Sequence, residues 1–405
     1  MTRLVCAVLI VCVVVGCSAT PPAAGPFADD VAFLRQHTDV IVLWDPATGA
    51  QVVASPSMQG RVLTSTAGAP DWTSHGWINR ELIASRQLQP HINAFGGEDR
   101  FWLGPEGGQF SIFFPAGAPF DLEHWQTPAP IDSEPWTVAS RRQDRVAFSK
   151  RFQLVNYAGT RFDVQVDRIV RLMHPAAVWQ ALGIPPVAGV RMVACESSNT
   201  LTNAGEHPWT PEAGLLSIWI LGMFNPSPQT TVVIPIVGGD EGQLGPAVNS
   251  DYFGAVPPER LTVRNNVVYF RGDGLYRSKI GIGPRRAKPV MGSYDAANNV
   301  LTLVHFTLPP GRSDYVNSMW KIHDDPYNGD VVNSYNDGPA SPGAKPIGPF
   351  YELESSSPAA VLAPGASIEH LHRTIHFQGE QQALDTIARS VLGVGLADIA
   401  NALPR

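Results

Sequence analysis

Two glutamates alternate with apolar residues in a short extended segment near the C-terminal end, Phe350–Ser355. Successive side chains of a strand point to opposite faces, so Glu352 and Glu354 share one face about 7 Å apart. Two carboxylates this close raise one another's pKa values when they are partly buried, which suits general acid and general base catalysis. The alternative is that both glutamates face solvent and have no chemical role.

The loop before this strand, Trp320–Pro339, is rich in groups that could recognise sugar hydroxyls. His323 lies beside Asp324 and Asp325, whose charges would support an imidazolium and therefore a proton donor. The carboxylates of the loop match no Ca²⁺ register, so we expect no metal. Loops also use Asn, Asp and Gly merely to turn. Amide, phenol and carboxylate groups of the predicted substrate-binding set in this region are Asp324, Tyr327, Asn333, Tyr335 and Asn336.

A second candidate segment lies far upstream and reads Phe95-Gly-Gly-Glu-Asp-Arg-Phe-Trp-Leu103. Arg100 and Trp102 share a face if this segment is extended. An aromatic ring stacks on the apolar face of a pyranose, while a guanidinium donates to its hydroxyls. The alternative is a buried network of arginine and carboxylates under an aromatic core. The predicted substrate-binding set in this region comprises Asn93, Glu98, Asp99, Arg100 and Trp102.

Other catalytic classes receive little support from the sequence. His370, His372 and His376 share one face of the last strand. An H-x-H pair on a strand can hold Zn²⁺, but no third ligand is identifiable. A polar outer face explains their alternation more simply. No G-x-S-x-G elbow occurs, so we exclude serine hydrolysis. We therefore expect no metal and no cofactor.

The elements that must position these residues are short strands. The chain contains 37 glycines and 36 prolines, which favour frequent turns. Apolar residues alternate with polar ones from residue 144 to residue 167, which indicates a sheet with one buried and one solvated face. Helical patterns occur only at His174–Leu182 and Gln381–Leu396, and no strand–helix–strand rhythm appears. The sequence therefore predicts a mainly β, largely antiparallel domain with few short helices and a C-terminal helix.

Three segments resemble the galactose mutarotase-like proteins. They are Phe95–Leu103, the N-x-L-T-N stretch Asn199–Asn203, and Tyr351–Glu354 with the later turn Leu362–Gly365. The chain is also similar to bacterial lipoproteins that share its FGGEDRFWLGPE, PYNGD and NSYNDGP strings. The resemblance implies a large antiparallel β-supersandwich with a sugar-sized groove.

The resemblance also implies which residues would act on a sugar. Aldose epimerases carry their base on the penultimate strand, which corresponds to Glu354 or Glu352 here. Their acid is a histidine directly after the T-N of the central motif, and this chain has Ala204 at that position. His323 or His207 would then have to protonate the ring oxygen. We therefore predict Glu354, Glu352 and His323 as catalytic residues.

The first residues of the chain are typical of a bacterial lipoprotein signal. Residues 1–16 combine Arg3 with an apolar run that ends at Cys17, where lipid would be attached. Residues 17–30 are predicted to be a tether, and residues 31–405 a single domain. We expect a monomer in the cell envelope, anchored on the periplasmic side or at the surface of the outer membrane.

Charge and cysteine content narrow the range of partners. The formal net charge is −7 and only 16% of residues are charged, which disfavours nucleic acid as a partner. Beyond Cys17 only Cys195 remains, so no internal disulfide is expected. The sequence therefore predicts an envelope lipoprotein with a carbohydrate-binding cleft, acting on free or terminal sugars by epimerase-like chemistry. The alternative is a glycan-binding lipoprotein without catalysis.

Overall fold

The structure is a computed structural model that describes residues 23–341 and 343–404. Its strands are β1 (Ile41–Trp44), β2 (Gln51–Ser55), β3 (Arg61–Thr66), β4 (Arg100–Gly104), β5 (Thr137–Arg141), β6 (Arg145–Val155), β7 (Arg161–Leu172), β8 (Val190–Asn203), β9 (Ser217–Phe224), β10 (Thr230–Pro235), β11 (Leu261–Arg264), β12 (Val267–Arg271), β13 (Ser278–Ile282), β14 (Val290–Asp295), β15 (Val300–Phe306), β16 (Val332–Asn336), β17 (Tyr351–Ser356) and β18 (Ser367–Gly379). Its α-helices are α1 (Gly25–His37), α2 (Arg80–Ser85), α3 (Ala129–Asp132), α4 (Pro175–Leu182), α5 (Glu241–Leu244), α6 (Gln381–Leu392) and α7 (Leu396–Ala400).

The strands form three sheets, and every pair of neighbouring strands is antiparallel. A small sheet has the order β1-β2-β3. The large sheet has ten strands in the order β11-β12-β10-β14-β15-β18-β8-β7-β6-β5, and the third has five in the order β13-β16-β17-β9-β4. The prediction of a mainly β, largely antiparallel fold with a C-terminal helix is confirmed.

Strands β6 and β7 have one buried face and one solvated face, as the alternation of their residues predicted. Phe162, Val164 and Val166 are buried, whereas the polar residues between them reach solvent to different degrees. The apolar face packs into a core that also includes Phe101 and Ile220 of the five-stranded sheet. One face of the five-stranded sheet therefore packs against the ten-stranded sheet, and its opposite face is left for the loops.

The buried face of the last strand differs from the prediction. His370, His372 and His376 were expected on a polar outer face, but all three are buried between the sheets. The Ser355 hydroxyl lies 2.8 Å from His370 Nε2 and 2.8 Å from His372 Nδ1. Burial lowers the pKa of His370 to about 3 and that of His372 to about 4, so both rings are neutral inside the protein.

The C-terminal helix is shorter than its predicted range Gln381–Leu396. It ends at Leu392 because Gly393 adopts a left-handed conformation with φ 74°, which is a common helix stop. A second short helix, α7, follows it. The apolar stripe of Leu384, Ile387 and Leu392 is buried as the helical periodicity predicted.

The N-terminal boundary of the ordered fold lies earlier than predicted. Helix α1 begins at Gly25, inside the segment 17–30 that was predicted to be a tether, and the Phe27 side chain is fully buried. A buried aromatic ring needs a packed environment, so residues 25–30 belong to the fold. Cys17 and the predicted signal segment lie outside the described residues. No helix within residues 23–341 and 343–404 is long and apolar enough to span a membrane.

Replacing Phe27 by alanine tests this boundary. We expect the free energy of unfolding to fall by about 3 kcal/mol, because the change leaves a cavity under α1. The matched control is Asp29→Ala, since Asp29 is exposed on the same helix and its truncation leaves no cavity. Urea unfolding of the full chain measures both. Equal free energies of unfolding for Phe27→Ala and Asp29→Ala would show that residues 25–30 belong to the tether and not to the fold.

Candidate functional site

The two glutamates of β17 lie on the face of the five-stranded sheet that points away from the ten-stranded sheet. Glu352 is 5% exposed and Glu354 is 0% exposed, so the alternative of two solvent-facing glutamates is wrong. Arg100 Nη2 of β4 donates to Glu352 Oε1 at 3.0 Å. Lys279 Nζ of β13 donates to Glu354 Oε2 at 3.0 Å. Two buried pairs of a carboxyl group and a cation, contributed by three strands, thus form the centre of the site.

Two tryptophans form an aromatic surface beside these ion pairs. Trp102 and Trp219 face each other across β4 and β9, with ring centroids 5.5 Å apart. The Arg100 guanidinium carbon lies 4.1 Å from the centroid of the Trp102 ring, and Lys279 Nζ lies 4.6 Å from that of Trp219. Trp219 Nε1 also donates to Glu354 Oε2 at 2.9 Å. Cations over tryptophan faces are held in place by the ring quadrupole, so the side chains of the site are pre-positioned.

Strand β16 contributes two of the predicted substrate-binding residues to the same face. Asn333 lies directly opposite Glu354 in the register of β16 and β17, and Tyr335 lies opposite Lys279 on β13. Asn333 Nδ2 donates to the Tyr252 hydroxyl at 3.0 Å, and that hydroxyl donates to Asp330 Oδ2 at 2.6 Å. The loop that carries Tyr252 therefore covers one end of the face.

Carboxyl groups outnumber cations at this face, and burial raises the pKa values of several of these carboxyl groups. Burial and the charge of Glu354 raise the pKa of Glu352 to about 8, although Arg100 and Lys279 oppose the rise. Burial also raises the pKa of Glu106 and brings that of Asp330 to about 6. Burial alone would lower the pKa of Lys279, but the nearby carboxylates together raise it. The site consequently holds a protonated carboxyl next to a charged lysine at neutral pH.

The raised pKa of Glu352 predicts that stability falls between pH 6.5 and pH 8. The unfolded chain loses this proton near pH 4.5, whereas the folded protein keeps it until about pH 8. The folded state therefore binds more protons in this window, and its stability decreases on average by about 1 kcal/mol per pH unit as pH rises. The buried neutral histidines act mainly below pH 6.5, where the unfolded chain binds their protons.

The measurement is urea unfolding at pH 6.5, 7.2 and 8. In Glu352→Gln the pH-dependent loss should disappear, because glutamine imitates the neutral carboxyl and does not titrate. Glu369→Gln serves as the matched control, since Glu369 is an exposed glutamate on β18. A pH slope of equal size in wild type and Glu352→Gln would show that another group causes it.

Several buried polar atoms on this face have no hydrogen-bond partner among the described residues. They are Arg100 Nε and Nη1, Trp102 Nε1 and Glu354 Oε1. A buried group without a partner costs about 1–3 kcal/mol, and such groups are rare in folded proteins. Three donor atoms and one acceptor atom, all beside an aromatic face, are what a bound molecule with several hydroxyls would satisfy.

Glu98 and Asp99 do not join this face. Glu98 Oε2 accepts from Ser65 Oγ at 2.8 Å and lies 3.1 Å from His376 Nε2, between the sheets. Asp99 Oδ1 pairs with the fully buried Arg168 at 2.6 Å. Neither is the partner of Arg100, whose guanidinium pairs with Glu352 instead. The alternative, a buried network of arginine and carboxylates, describes Asp99, whereas Glu98 contacts a serine and a histidine.

Two predicted amide ligands have structural contacts instead. Asn93 binds both carboxylate oxygens of Asp132 through its backbone and side-chain N–H groups. Asn336 lies on the opposite face of β16 from Tyr335, where its side chain accepts from Gly274 N and donates to Asp273. Both amides are buried, and their contacts hold loops in place.

The remaining loop residues lie away from the glutamates. His323 Nε2 is 3.0 Å from the carbonyl oxygen of Met319, and burial lowers the pKa of His323, so it is not the imidazolium that the sequence predicted. Asp324 is exposed. The Tyr327 hydroxyl donates to the Pro211 carbonyl at 2.6 Å, and its ring stacks on Phe110.

His207, the other predicted acid, is exposed at a loop. No hydrogen bond or ion pair among the described residues joins His207 or His323 to either glutamate. An acid other than histidine must therefore be sought at this face.

Sequence reasoning missed Lys279 and Trp219. Lys279 interrupts the apolar strand Ser278–Ile282, where Ile280 and Ile282 are fully buried, and a charge in such a strand could have marked the second face. Trp219 lies in the continuous apolar run of β9, where the residues on both faces of the strand are apolar. No alternation was available there to show which side chains face the glutamates.

Neither a metal cluster nor the groove near the C-terminal helices offers an alternative site among the described residues. No group of three or more potential metal ligands is close enough to hold an ion in residues 23–341 and 343–404. A groove of about 420 Å³ lies near β11, β12 and the C-terminal helices, with Arg264, Tyr269 and Asp398 among its lining residues. None of its lining side chains is buried without a partner, so its polar groups require no ligand.

Comparison with known proteins assigns a family. A family model matches residues 25–403, nearly the whole described chain. The chain belongs to DUF6786, a family of unknown function. Among curated proteins, none matches the chain by sequence. The family match begins at the residue where α1 begins, which agrees with the earlier boundary of the fold.

Solved structures show the fold. The chain is similar to the Slr1438 protein of Synechocystis sp. PCC 6803, with 13% identity and a TM-score of 0.50 over 85% of this chain and 96% of that one. It is also similar to a galactose mutarotase-like protein from Lactobacillus casei ATCC 334, with 11% identity and a TM-score of 0.47 over 84% and 100%. The large antiparallel β architecture that the sequence predicts is confirmed, and these likenesses concern the fold alone.

Proposed function

We propose that this protein binds a sugar ring at the Glu352–Glu354 face and epimerises it at the anomeric carbon. The observation that carries the proposal is the set of unpartnered buried atoms on Arg100, Trp102 and Glu354. The apolar face of a pyranose would stack on the tryptophans, and its hydroxyls would satisfy the free donors and the free acceptor.

The proposed reaction needs one base and one acid. The Glu354 carboxylate takes the proton of the anomeric hydroxyl as the bond between the anomeric carbon and the ring oxygen breaks. Glu352 donates a proton to that ring oxygen, and an open-chain aldehyde results. After rotation about the adjoining carbon–carbon bond, Glu352 takes its proton back from the hydroxyl that held the ring oxygen, and that oxygen attacks the other face of the aldehyde. Glu354 gives its proton to the carbonyl oxygen, which completes the other anomer and restores both groups.

The different environments of the two glutamates support this division of roles. Glu352 keeps its proton at neutral pH, because its pKa is raised to about 8, and it can therefore act as the acid. Glu354 Oε2 accepts hydrogen bonds from Lys279 Nζ at 3.0 Å and from Trp219 Nε1 at 2.9 Å, and we assign Glu354 the role of the base. A protonated carboxyl thus replaces the histidine that is absent at Ala204.

A non-catalytic glycan-binding function is the second candidate. The observation that favours it is that each glutamate already pairs with a cation, Glu352 with Arg100 and Glu354 with Lys279. Carboxyl groups held by hydrogen bonds to cations could orient a bound sugar without catalysing the opening of its ring. Binding without epimerisation would then be the outcome.

Polarimetry of freshly dissolved aldoses tests the two candidates. The full chain is added to α-glucose, α-galactose, α-xylose and α-N-acetylglucosamine, and the approach to anomeric equilibrium is compared with that in buffer. Catalysis predicts faster equilibration of at least one sugar. Rates equal to buffer for every sugar, together with binding on a glycan array, would support the binding function. Neither acceleration nor binding would overturn both.

We further propose that the protein is anchored in the cell envelope through lipid on Cys17, which the arrangement of the first 17 residues supports. Expression of the full chain in a Gram-negative host should place it in the membrane fraction. Cys17→Ser should release it or leave it unprocessed. A wild-type protein without lipid by mass spectrometry would contradict the anchor.

A further inference from the structure

We infer that residues 250–254 form a lid, which must swing away from the Glu352–Glu354 face before a sugar can reach it, and that Asp330 is the latch that holds this lid shut. The inference rests on the proposed function and concerns access to that same site. It depends on side chains that the acid–base chemistry does not use.

The Glu352–Glu354 face is closed in the structure. Lys279 is 7% exposed, Trp219 is 4% exposed and Glu354 is fully buried, so solvent reaches almost none of the chemical groups of the face. The atoms of the face that have no hydrogen-bond partner are buried as well. A sugar can therefore enter only if a covering segment moves, as lids and loops do in many enzymes.

The Tyr252 side chain covers the end of the face nearest to Glu354. Its hydroxyl accepts from Asn333 Nδ2 at 3.0 Å, and Asn333 lies opposite Glu354 on the neighbouring strand. The Tyr252 ring centroid lies 5.5 Å from Lys279 Nζ. Movement of Tyr252 would therefore uncover the lysine and the carboxylate that it binds.

The neighbouring Phe253 extends the cover toward Tyr335. The two rings pack edge-on with centroids 6.0 Å apart, and the Arg277 guanidinium carbon lies 3.8 Å from the centroid of the Phe253 ring. Phe253 is 37% exposed, so these contacts lie at the outer surface of the protein. A movement of the segment breaks them without opening the core.

The Asp330 carboxyl group joins the lid to the five-stranded sheet. Its Oδ2 atom accepts from the Tyr252 hydroxyl at 2.6 Å and from Asn249 Nδ2 at 3.1 Å. Gly281 of β13 makes room for this carboxyl group, since a Cβ atom at that position would lie 2.0 Å from Asp330 Oδ2. One oxygen atom therefore binds both the lid and the residue that precedes it.

The lid has few other attachments. No backbone hydrogen bond among the described residues involves residues 252–256. Asn249, in contrast, exchanges two backbone hydrogen bonds with Gly281, which fixes the start of the segment. Gly254 has a φ of 95°, a conformation that glycine adopts freely, and can serve as the hinge at the other end. Segments with so few backbone hydrogen bonds open at a small cost in free energy.

The loops that carry Glu106 and Trp320 also border the face, but they are fastened more firmly. Gln109 exchanges two hydrogen bonds with the backbone of His323, at 2.8 and 3.0 Å. Gly107 packs so closely on the Met319 carbonyl that a Cβ atom there would lie 2.3 Å from its oxygen. We therefore assign the opening to residues 250–254.

The experiment follows the acetylation of Lys279 in the full chain, with N-hydroxysuccinimide acetate as the reagent and mass spectrometry as the readout. Lys279 lies under the lid, so its reaction rate follows the population of the open form. In wild type we expect Lys279 to react at least about tenfold more slowly than the exposed Lys288. In Tyr252→Phe we expect Lys279 to react about fivefold faster than in wild type, because both hydrogen bonds of the Tyr252 hydroxyl are lost.

Phe253→Ala is a second lid variant, and its exposed position makes unfolding no concern. It removes the ring that contacts Arg277 and Tyr335. We expect Lys279 to react about two- to fivefold faster than in wild type, as the loss of one exposed cation–π contact predicts.

Tyr294→Phe is the matched control, since the Tyr294 hydroxyl donates to Asn299 Oδ1 in the ten-stranded sheet. It should leave the Lys279 rate unchanged, and an equal acceleration in this variant would overturn the lid. Equal rates for Lys279 and Lys288 in wild type, or an unchanged Lys279 rate in both lid variants, would also overturn it.

The labelling uses no sugar, so a failure of the lid leaves the proposed function standing. Faster labelling in both lid variants, together with neither catalysis nor glycan binding in the tests above, would support the lid and overturn the proposed function.

Discussion

Glu354→Gln is expected to lower the rate of anomeric equilibration by about 10²–10⁴-fold relative to wild type. Glutamine keeps the shape of the carboxylate but cannot take the proton of the anomeric hydroxyl. It also removes the negative charge that faces Lys279 at 3.0 Å. Polarimetry with the sugar that the wild-type protein equilibrates fastest measures the change.

Two further variants show whether a lower rate of equilibration in Glu354→Gln comes from the missing base. Glu369→Gln, on the exposed face of β18, should equilibrate the sugar as fast as wild type. In Glu352→Gln the rate should also fall, and the alkaline limb of the pH profile near pH 8 should vanish with the acid that causes it. An undiminished rate in Glu354→Gln would remove this glutamate as the base.

Replacing Arg168 by leucine is expected to lower the free energy of unfolding by about 3–5 kcal/mol, the largest stability effect that we predict. Arg168 is fully buried and pairs with Asp99 at 2.6 Å. It also donates to Asn199 Oδ1 and to the Gly60 carbonyl. The substitution leaves a buried carboxylate and two acceptors without donors, and urea unfolding reports the cost.

Arg171→Ala is the matched control, because Arg171 lies on the same strand and pairs with Glu196 at a half-exposed position. Its loss should cost less than about 1 kcal/mol. Asp99→Asn should reduce stability without changing sugar affinity, since Asp99 contacts Arg168 and not the candidate site. Weaker sugar binding in Asp99→Asn at unchanged stability would return Asp99 to the substrate-binding set.

The alternation of residues in strands could be read from the sequence and proved reliable. Glu352 and Glu354 share a face, and Arg100 and Trp102 share the same face of the five-stranded sheet, because side-chain direction along a strand has a period of two. The short strands and the C-terminal helix followed from turn residues and periodicity. These are local properties, which a single chain segment determines by itself.

The loops were the part that the sequence could not place. The order of residues put His323 beside two aspartates, but in the fold its ring is buried against the Met319 carbonyl. Asn336 and Asn333 were both predicted to bind substrate. They are an odd number of residues apart on β16, so their side chains point to opposite faces of the sheet. The length and composition of a loop do not determine which way it folds over a sheet.

The sequence by itself determined that this chain forms a mainly β fold, and that Glu352 with Glu354 and Arg100 with Trp102 share a strand face. Only the tertiary structure decided that Lys279 and Arg100 pair with the glutamates, and that Asp99 pairs with Arg168 instead. The physical reason is that an ion pair joins residues on strands far apart in the sequence. Its partners are selected by the order of strands in the sheets, which no local pattern encodes.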